Sequence, residues 1–181
     1  PLAGTAFKKV YYDVNKQRAV STFVPVEDLV VPYTASDLTN CERVTHVVKM
    51  SYNEIRTQQL AGFYRDIPLQ PAETNIGNSD TIDKEDEIEG LSATTNDMMY
   101  ELLECHVSMD MPGFEDEDGY HLPFIITVDR ASNEVLSIRR NYNPNDPLRT
   151  KIQYFVHYKF LPGLGFYGFG LIHMIGGLSR T

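Results

Sequence analysis

The sequence has no Trp, only two Cys, and no Asn-x-Ser/Thr site. Two cysteines, Cys41 and Cys105, are too few for a disulfide framework and point to reduced thiols, a cytoplasmic signature. Clustered Lys and Arg are also missing, and a protein that grips duplex DNA must neutralise several phosphates with such clusters. Several catalytic signatures are absent too. There is no P-loop, no G-x-S-x-G elbow, no H-E-x-x-H and no C-x-x-C, and His46, His106, His121, His157 and His173 have no ligand-like spacing. These absences leave no catalytic residue, no cofactor-binding residue and no metal ligand to assign. A Cys/His pair brought together from distant segments would still need an elbow or an oxyanion loop, and neither is present.

The formal charge of -9 is confined to two stretches. Residues 73–89 hold seven acids and one base, and residues 110–118 hold five acids. Without those runs, thirteen acids face fifteen bases, so the body is close to neutral and the acidity belongs to loops. The segment Asp116, Glu117, Asp118, Gly119 resembles part of a calcium loop. If Gly119 is placed at loop position six, Phe114 and Ile125 fall where carboxylates are needed, so a solvated loop is the better reading.

With 181 residues, 42% hydrophobic and rich in Tyr and Phe, the chain can bury a real core and leans towards β-structure. Alternation predicts a hairpin over 6–12 and 19–24, and an edge strand over 26–31 between Pro25 and Pro32. A half-buried strand is expected over 43–50, with Val44, His46, Val48 and Met50 inward. Ser51 and Glu54 form a capping box, Met50 and Ile55 a hydrophobic staple, and Gly62 a left-handed stop, which together define one short helix. Residues 66–97 read as a mobile acidic insertion with one helical turn near 84–88. In the strand after it, Met99, Leu103, Cys105, Val107 and Met109 are expected on the core side. A hairpin over 122–129 and 135–142 follows, and a strand over 152–160 completes a roughly four-stranded antiparallel sheet. The fold class is α+β, mainly antiparallel β. It comprises a wing-like domain over 1–160 and a glycine/aromatic transition over 161–181 into a helix.

That transition holds six of the twelve glycines, interleaved with Phe166, Tyr167 and Phe169, and no charge falls between Lys159 and Arg180. It has the length of a membrane span, but Pro162, His173 and the glycines deny it the character of one. Pro1 at the start and a helix begun close to Thr181 are read as marks of an excerpt whose partner surfaces are partly missing. Gly163, Gly165 and Gly168 spell G-x-G-x-x-G after a strand, which makes a nucleotide-binding enzyme domain the alternative reading. Pro162, the bulk of Phe166 and Tyr167, and the antiparallel context argue instead for a structural turn where glycines let backbones come close.

Several segments, taken in order, resemble the middle of a portal protein of short-tailed bacteriophages. They are 2–12, 23–33, 43–48, the helix ending at 62–66, and above all 155–173, Phe-Val-His-Tyr-Lys-Phe-Leu-Pro-Gly-Leu-Gly-Phe-Tyr-Gly-Phe-Gly-Leu-Ile-His. The resemblance implies a non-enzymatic subunit of a homo-oligomeric ring of about twelve copies at one capsid vertex, a virion component assembled in the host bacterial cytoplasm. Its implied partners are capsid protein, terminase and tail or adaptor proteins, with double-stranded DNA passing through non-specifically and no membrane involved. Another head-to-tail adaptor is a further alternative. An acidic conduit suits sliding DNA, because like charge avoids tight phosphate binding. On this reading Phe160, Phe166, Tyr167 and Phe169 pack at the wing-to-stem junction or between subunits.

Overall fold

The computed structural model describes residues 4–13, 16–69, 99–116, 119–163 and 165–176. In chain order the elements are β1 (Thr5–Asp13), β2 (Arg18–Val24), β3 (Leu29–Val30), β4 (Arg43–Met50), α1 (Tyr52–Leu60), β5 (Tyr100–Met109), β6 (Leu122–Asp129), β7 (Val135–Arg140), β8 (Phe155–Lys159) and α2 (Leu171–Ile175). The class is the expected one, an α+β fold made mainly of antiparallel sheet. There are two sheets rather than one of about four strands: β2-β1-β8 and β3-β4-β5-β6-β7. The difference lies in β8, which leaves its sequence neighbours to pair antiparallel with β1, from Thr5 opposite Lys159 to Lys9 opposite Phe155.

Contacts divide the chain into two units. The first is Pro1–Val47, Cys105–Ile125 and Arg139–Thr181, which includes the expected transition segment, and the second is Val48–Glu104 and Ile126–Ile138. The first unit packs Phe7, Val24, Leu29, Leu38, Cys41, Val44, Phe155 and Phe166 into one core. Phe7 is fully buried, and burial of a side chain that size stabilises by about 2–3 kcal/mol. The second unit gathers Ile55, Tyr64, Tyr100, Leu102 and Leu136, with Ile67 and Leu69 packed against them.

The short-range signals fold as their chemistry requires. The β1/β2 hairpin runs in register from Phe7 opposite Val24 to Asp13 opposite Arg18. The strand expected between Pro25 and Pro32 contracts to Leu29–Val30, at the edge of its sheet. In the β6/β7 hairpin Asp129 Oδ2 accepts hydrogen bonds from the Ser132 amide (2.9 Å) and hydroxyl (2.6 Å). Asn133 takes the left-handed conformation there at φ 59°, which its short polar side chain tolerates.

Helix α1 starts with both halves of the capping box: the Ser51 amide donates to Glu54 Oε2 at 2.8 Å and the Glu54 amide to Ser51 Oγ at 3.4 Å. It ends in a complete Schellman motif, with Gly62 N–H to Gln59 O and Phe63 N–H to Gln58 O. Met50 and Ile55 of the expected staple both join the second core.

Three expectations change. The alternation in β5 is real, but its inward face is Tyr100, Leu102, Glu104 and His106, not the odd-numbered set. Burial of β4 is also two-sided at its start, where Val44 and Thr45 are both inaccessible. The acidic insertion does not begin at 66, because Ile67 and Leu69 belong to the second core. The remainder, including the turn expected at 84–88, lies outside the described residues.

Gly62 sits at φ +73° with open space where a Cβ would go. Gly62→Ala therefore meets conformational strain and no clash, and should cost about 1 kcal/mol, read as a lower urea midpoint at unchanged slope.

Candidate assembly surface: the glycine-aromatic loop

Strand β8 delivers the chain to the glycine-aromatic segment, and a two-residue bridge closes that segment into a loop. Leu161 and Phe169 exchange backbone hydrogen bonds, Phe169 N–H to Leu161 O at 2.8 Å and Leu161 N–H to Phe169 O at 3.3 Å. The loop lies on the start of β1, where Thr5 Oγ1 accepts a 2.8 Å hydrogen bond from the Gly168 amide. Glycine is required on both sides of this contact. A Cβ on Gly4 (φ +82°) would sit 2.4 Å from the Gly170 nitrogen and the Phe169 carbonyl carbon, and one on Gly168 would sit 2.7 Å from the Gly4 oxygen.

The four aromatic residues expected at the wing-to-stem junction or between subunits differ in burial. Phe166 is 7% exposed and lies in the core of its own chain, 6.0 Å from the Phe7 ring and 4.8 Å from that of His157. It anchors the loop and presents nothing to a partner. Phe160, Tyr167 and Phe169 are 46%, 49% and 52% exposed. The structure thus brings the loop together around Phe166 and turns the other three outwards.

The same geometry disposes the G-x-G-x-x-G glycines poorly for a phosphate. Binding there needs free amides at the start of a helix. The Gly168 amide is committed to Thr5, the Gly170 amide donates to His173 Nδ1 at 3.1 Å, and the helix that follows has only five residues. The strand before it is paired antiparallel.

His46, His106 and the Cys41 thiol sit as packing groups, while His121 and His173 are exposed. His106 is 3% exposed, with its ring 5.1 Å from Phe155 and 5.5 Å from Tyr154, and His46 lies 5.6 Å from Phe155. Cys41 donates its thiol to the Arg43 carbonyl, and burial pushes that thiol up, the reverse of what a nucleophile needs. Asp116, from the calcium-like run, is paired with Arg149. Among the described residues no group of three or more His, Cys, Asp or Glu could hold a metal ion. In the second unit an open cleft of about 410 Å³ is lined by Tyr52, Arg56, Gln59, Asp66, Leu69 and Tyr100 among others. Its charged pair, Arg56 with Asp66, is internally matched, and its described lining includes no His, Cys or Ser.

Sequence reasoning missed the outer face of the three-stranded sheet. By register, Lys8 stands opposite Phe23 and Val156, Val10 opposite Ser21, and Tyr12 opposite Ala19, all on the side away from Phe7. The available signal was apolar residues at both parities of β1, Phe7 and Tyr11 on one face and Val10 and Tyr12 on the other, which marks a strand with two demanding faces.

The outcome for Gly4→Ala should exceed that for Gly62→Ala, because a clash with the backbone of residues 168–170 adds to positive-φ strain. The expected loss is about 3 kcal/mol by urea unfolding. The second expectation concerns His157, whose ring is held between Phe7 and Phe166. Desolvation, reinforced by the Lys159 ammonium and opposed by Asp37, holds its pKa below the ordinary 6.5. A base with a depressed pKa gives stability that is whole above 6.5 and is lost as pH falls from there through the folded-state value. The unfolding midpoint should therefore drop between pH 7.5 and about 5, and His157→Gln should lose less than the parent chain over the same interval.

Compared with protein-family models and with curated proteins, the chain matches none.

Proposed function

We propose that this chain is a structural, non-enzymatic subunit of a phage portal ring. In that role it forms part of the conduit through which DNA enters and leaves the head, and part of the platform to which a tail attaches. The observation that carries the reading is the end of the first unit. A loop locked by Phe166 and the glycine contacts holds Phe160, Tyr167 and Phe169 in solvent and leads into α2, a helix with no buried residue. Short helices gain most of their stability from packing an apolar face, so α2 calls for a neighbour. Phe160, Tyr167 and Phe169 are the residues assigned to that junction, and Phe166 becomes the anchor that positions them.

The charge pattern is compatible with the role. A sequence near neutrality outside its two acidic stretches, 73–89 and 110–118, has little to hold a phosphate backbone, which suits a passage more than a grip. The occupied loop amides weaken the nucleotide-enzyme alternative, and no comparable observation favours the adaptor alternative.

Native mass spectrometry of the complete gene product tests the reading. The expected result is a closed ring of about twelve copies. A strict monomer at micromolar concentration would sink it. A ring needed for tail attachment but not for filling heads with DNA would transfer the assignment to an adaptor.

A further inference from the structure

Two uncharged or nearly uncharged apolar surfaces lie on the first unit, and nothing in the described chain covers either. One is the outer face of β2-β1-β8. Its row comprises Val10 and Tyr12 on β1, Phe23 on β2, Val156 and Tyr158 on β8, and Phe160 just beyond, with exposures between 41% and 61%. The other is the loop and helix surface formed by Leu161, Tyr167, Phe169, Ile172, Met174 and Ile175, exposed by 40% to 61%. From side chains of this size, each leaves on the order of 600 Å² in water. A standard interface covers about 800 Å² per partner, and a lone apolar patch this large already stands at the top of what monomers show.

We infer that these two surfaces are the two halves of one head-to-tail contact: loop and α2 of one copy lie across the outer face of β2-β1-β8 in a second copy. The inference deepens the ring reading and rests on it for the choice of a second copy as partner. Areas and chemistry agree with that choice. The sheet face carries one cation, Lys8, already drawn towards the Tyr158 ring at 6.0 Å, and the helix surface carries no acid or base apart from His173. Each half is therefore matched by an apolar counterpart. A nucleic acid would require several cations, and the face offers one.

The contact is heterologous, because the two surfaces differ, and a heterologous contact repeats from copy to copy into a ring or an open filament. Association is also expected to strengthen with moderate salt. Each copy carries a formal charge of -9, whose repulsion salt screens while the apolar contact stays.

The test uses the 181-residue chain and two variants at exposed positions, Phe23→Glu and Ile172→Glu. The carboxylate of the first lies opposite Lys8, which favours the fold while charging the face. Circular dichroism checks folding, and if either variant unfolds, Tyr158→Glu or Met174→Glu replaces it. Light scattering should show the parent chain associating at tens of micromolar, each variant alone monomeric, and an equimolar mixture stopping at a 1:1 pair. Only that mixture rebuilds a single intact junction, because the other junction sets two like charges against each other. A monomeric parent chain would overturn the inference. So would loss of association in only one of the two variants, failure of the mixture to pair, or binding of a single-stranded oligonucleotide that Phe23→Glu abolishes and salt removes. Pairing of the mixture without a ring in the complete gene product leaves the contact standing and removes the portal reading. A ring that tolerates both variants does the reverse.

Discussion

The close approach of Gly4 to Gly168 and Gly170 holds the first unit in its form. Main chain meets main chain there with no room for a Cβ, and Thr5 Oγ1 takes the amide that the approach would otherwise strand. The contact joins segments 163 residues apart. Around it β8 pairs with β1, and Phe166 settles against His157 and Phe7. Closing so long a loop is costly in chain entropy, and the return is a core in which Phe7, Phe155 and Phe166 are all inaccessible.

That closure also creates the exposed face. A three-stranded sheet sends alternate side chains to opposite sides, so placing Phe7, Val24 and Phe155 inward fixes Lys8, Phe23 and Val156 outward by register alone. No adjustment of rotamers removes Tyr12 or Tyr158 from solvent while Phe7 stays buried. A sequence under pressure only to fold in isolation would place polar residues at those positions. Here four of the six large outward residues are aromatic.

What could be read from the sequence was what short-range chemistry decides. Ser51, Glu54 and Gly62 bound α1 because their hydrogen bonds and backbone conformation involve residues within a few positions, and the β1/β2 and β6/β7 hairpins obey the same logic. The inward face of β5 escaped because alternation reports two faces without saying which has a neighbour. Glu104 and His106 lie on the buried side, and aromatic residues from the far end of the chain, Tyr154 and Phe155, close over His106. The partner of β8 escaped for a related reason, since a five-residue strand of mixed character carries no mark of the strand it will join. The loop aromatics were singled out together by composition, yet Phe166 differs from its neighbours only through Phe7 and His157, which no local rule connects to it.

The glycines of the loop show how one pattern supports two chemistries. In a phosphate site glycine keeps amides bare and lets a ligand approach; here glycine lets the chain approach itself, and the amides that a phosphate would use are consumed at Gly168 and Gly170. Bulky Phe166 has a reason to be present only in the second case, where it fills the space beneath the turn. The consequence for assembly is mechanical. With the loop fixed to β1, the direction in which α2 leaves is set at Gly170, and Gly176 follows at its other end. In a head-to-tail contact the angle between giving and receiving surfaces decides whether copies close into a ring or run on as a filament. If copies of this chain meet in that way, the angle is carried by the glycine-to-glycine seam on one side and by the backbone around Gly170 on the other, and the size of a ring so formed follows from the turn more than from the area buried.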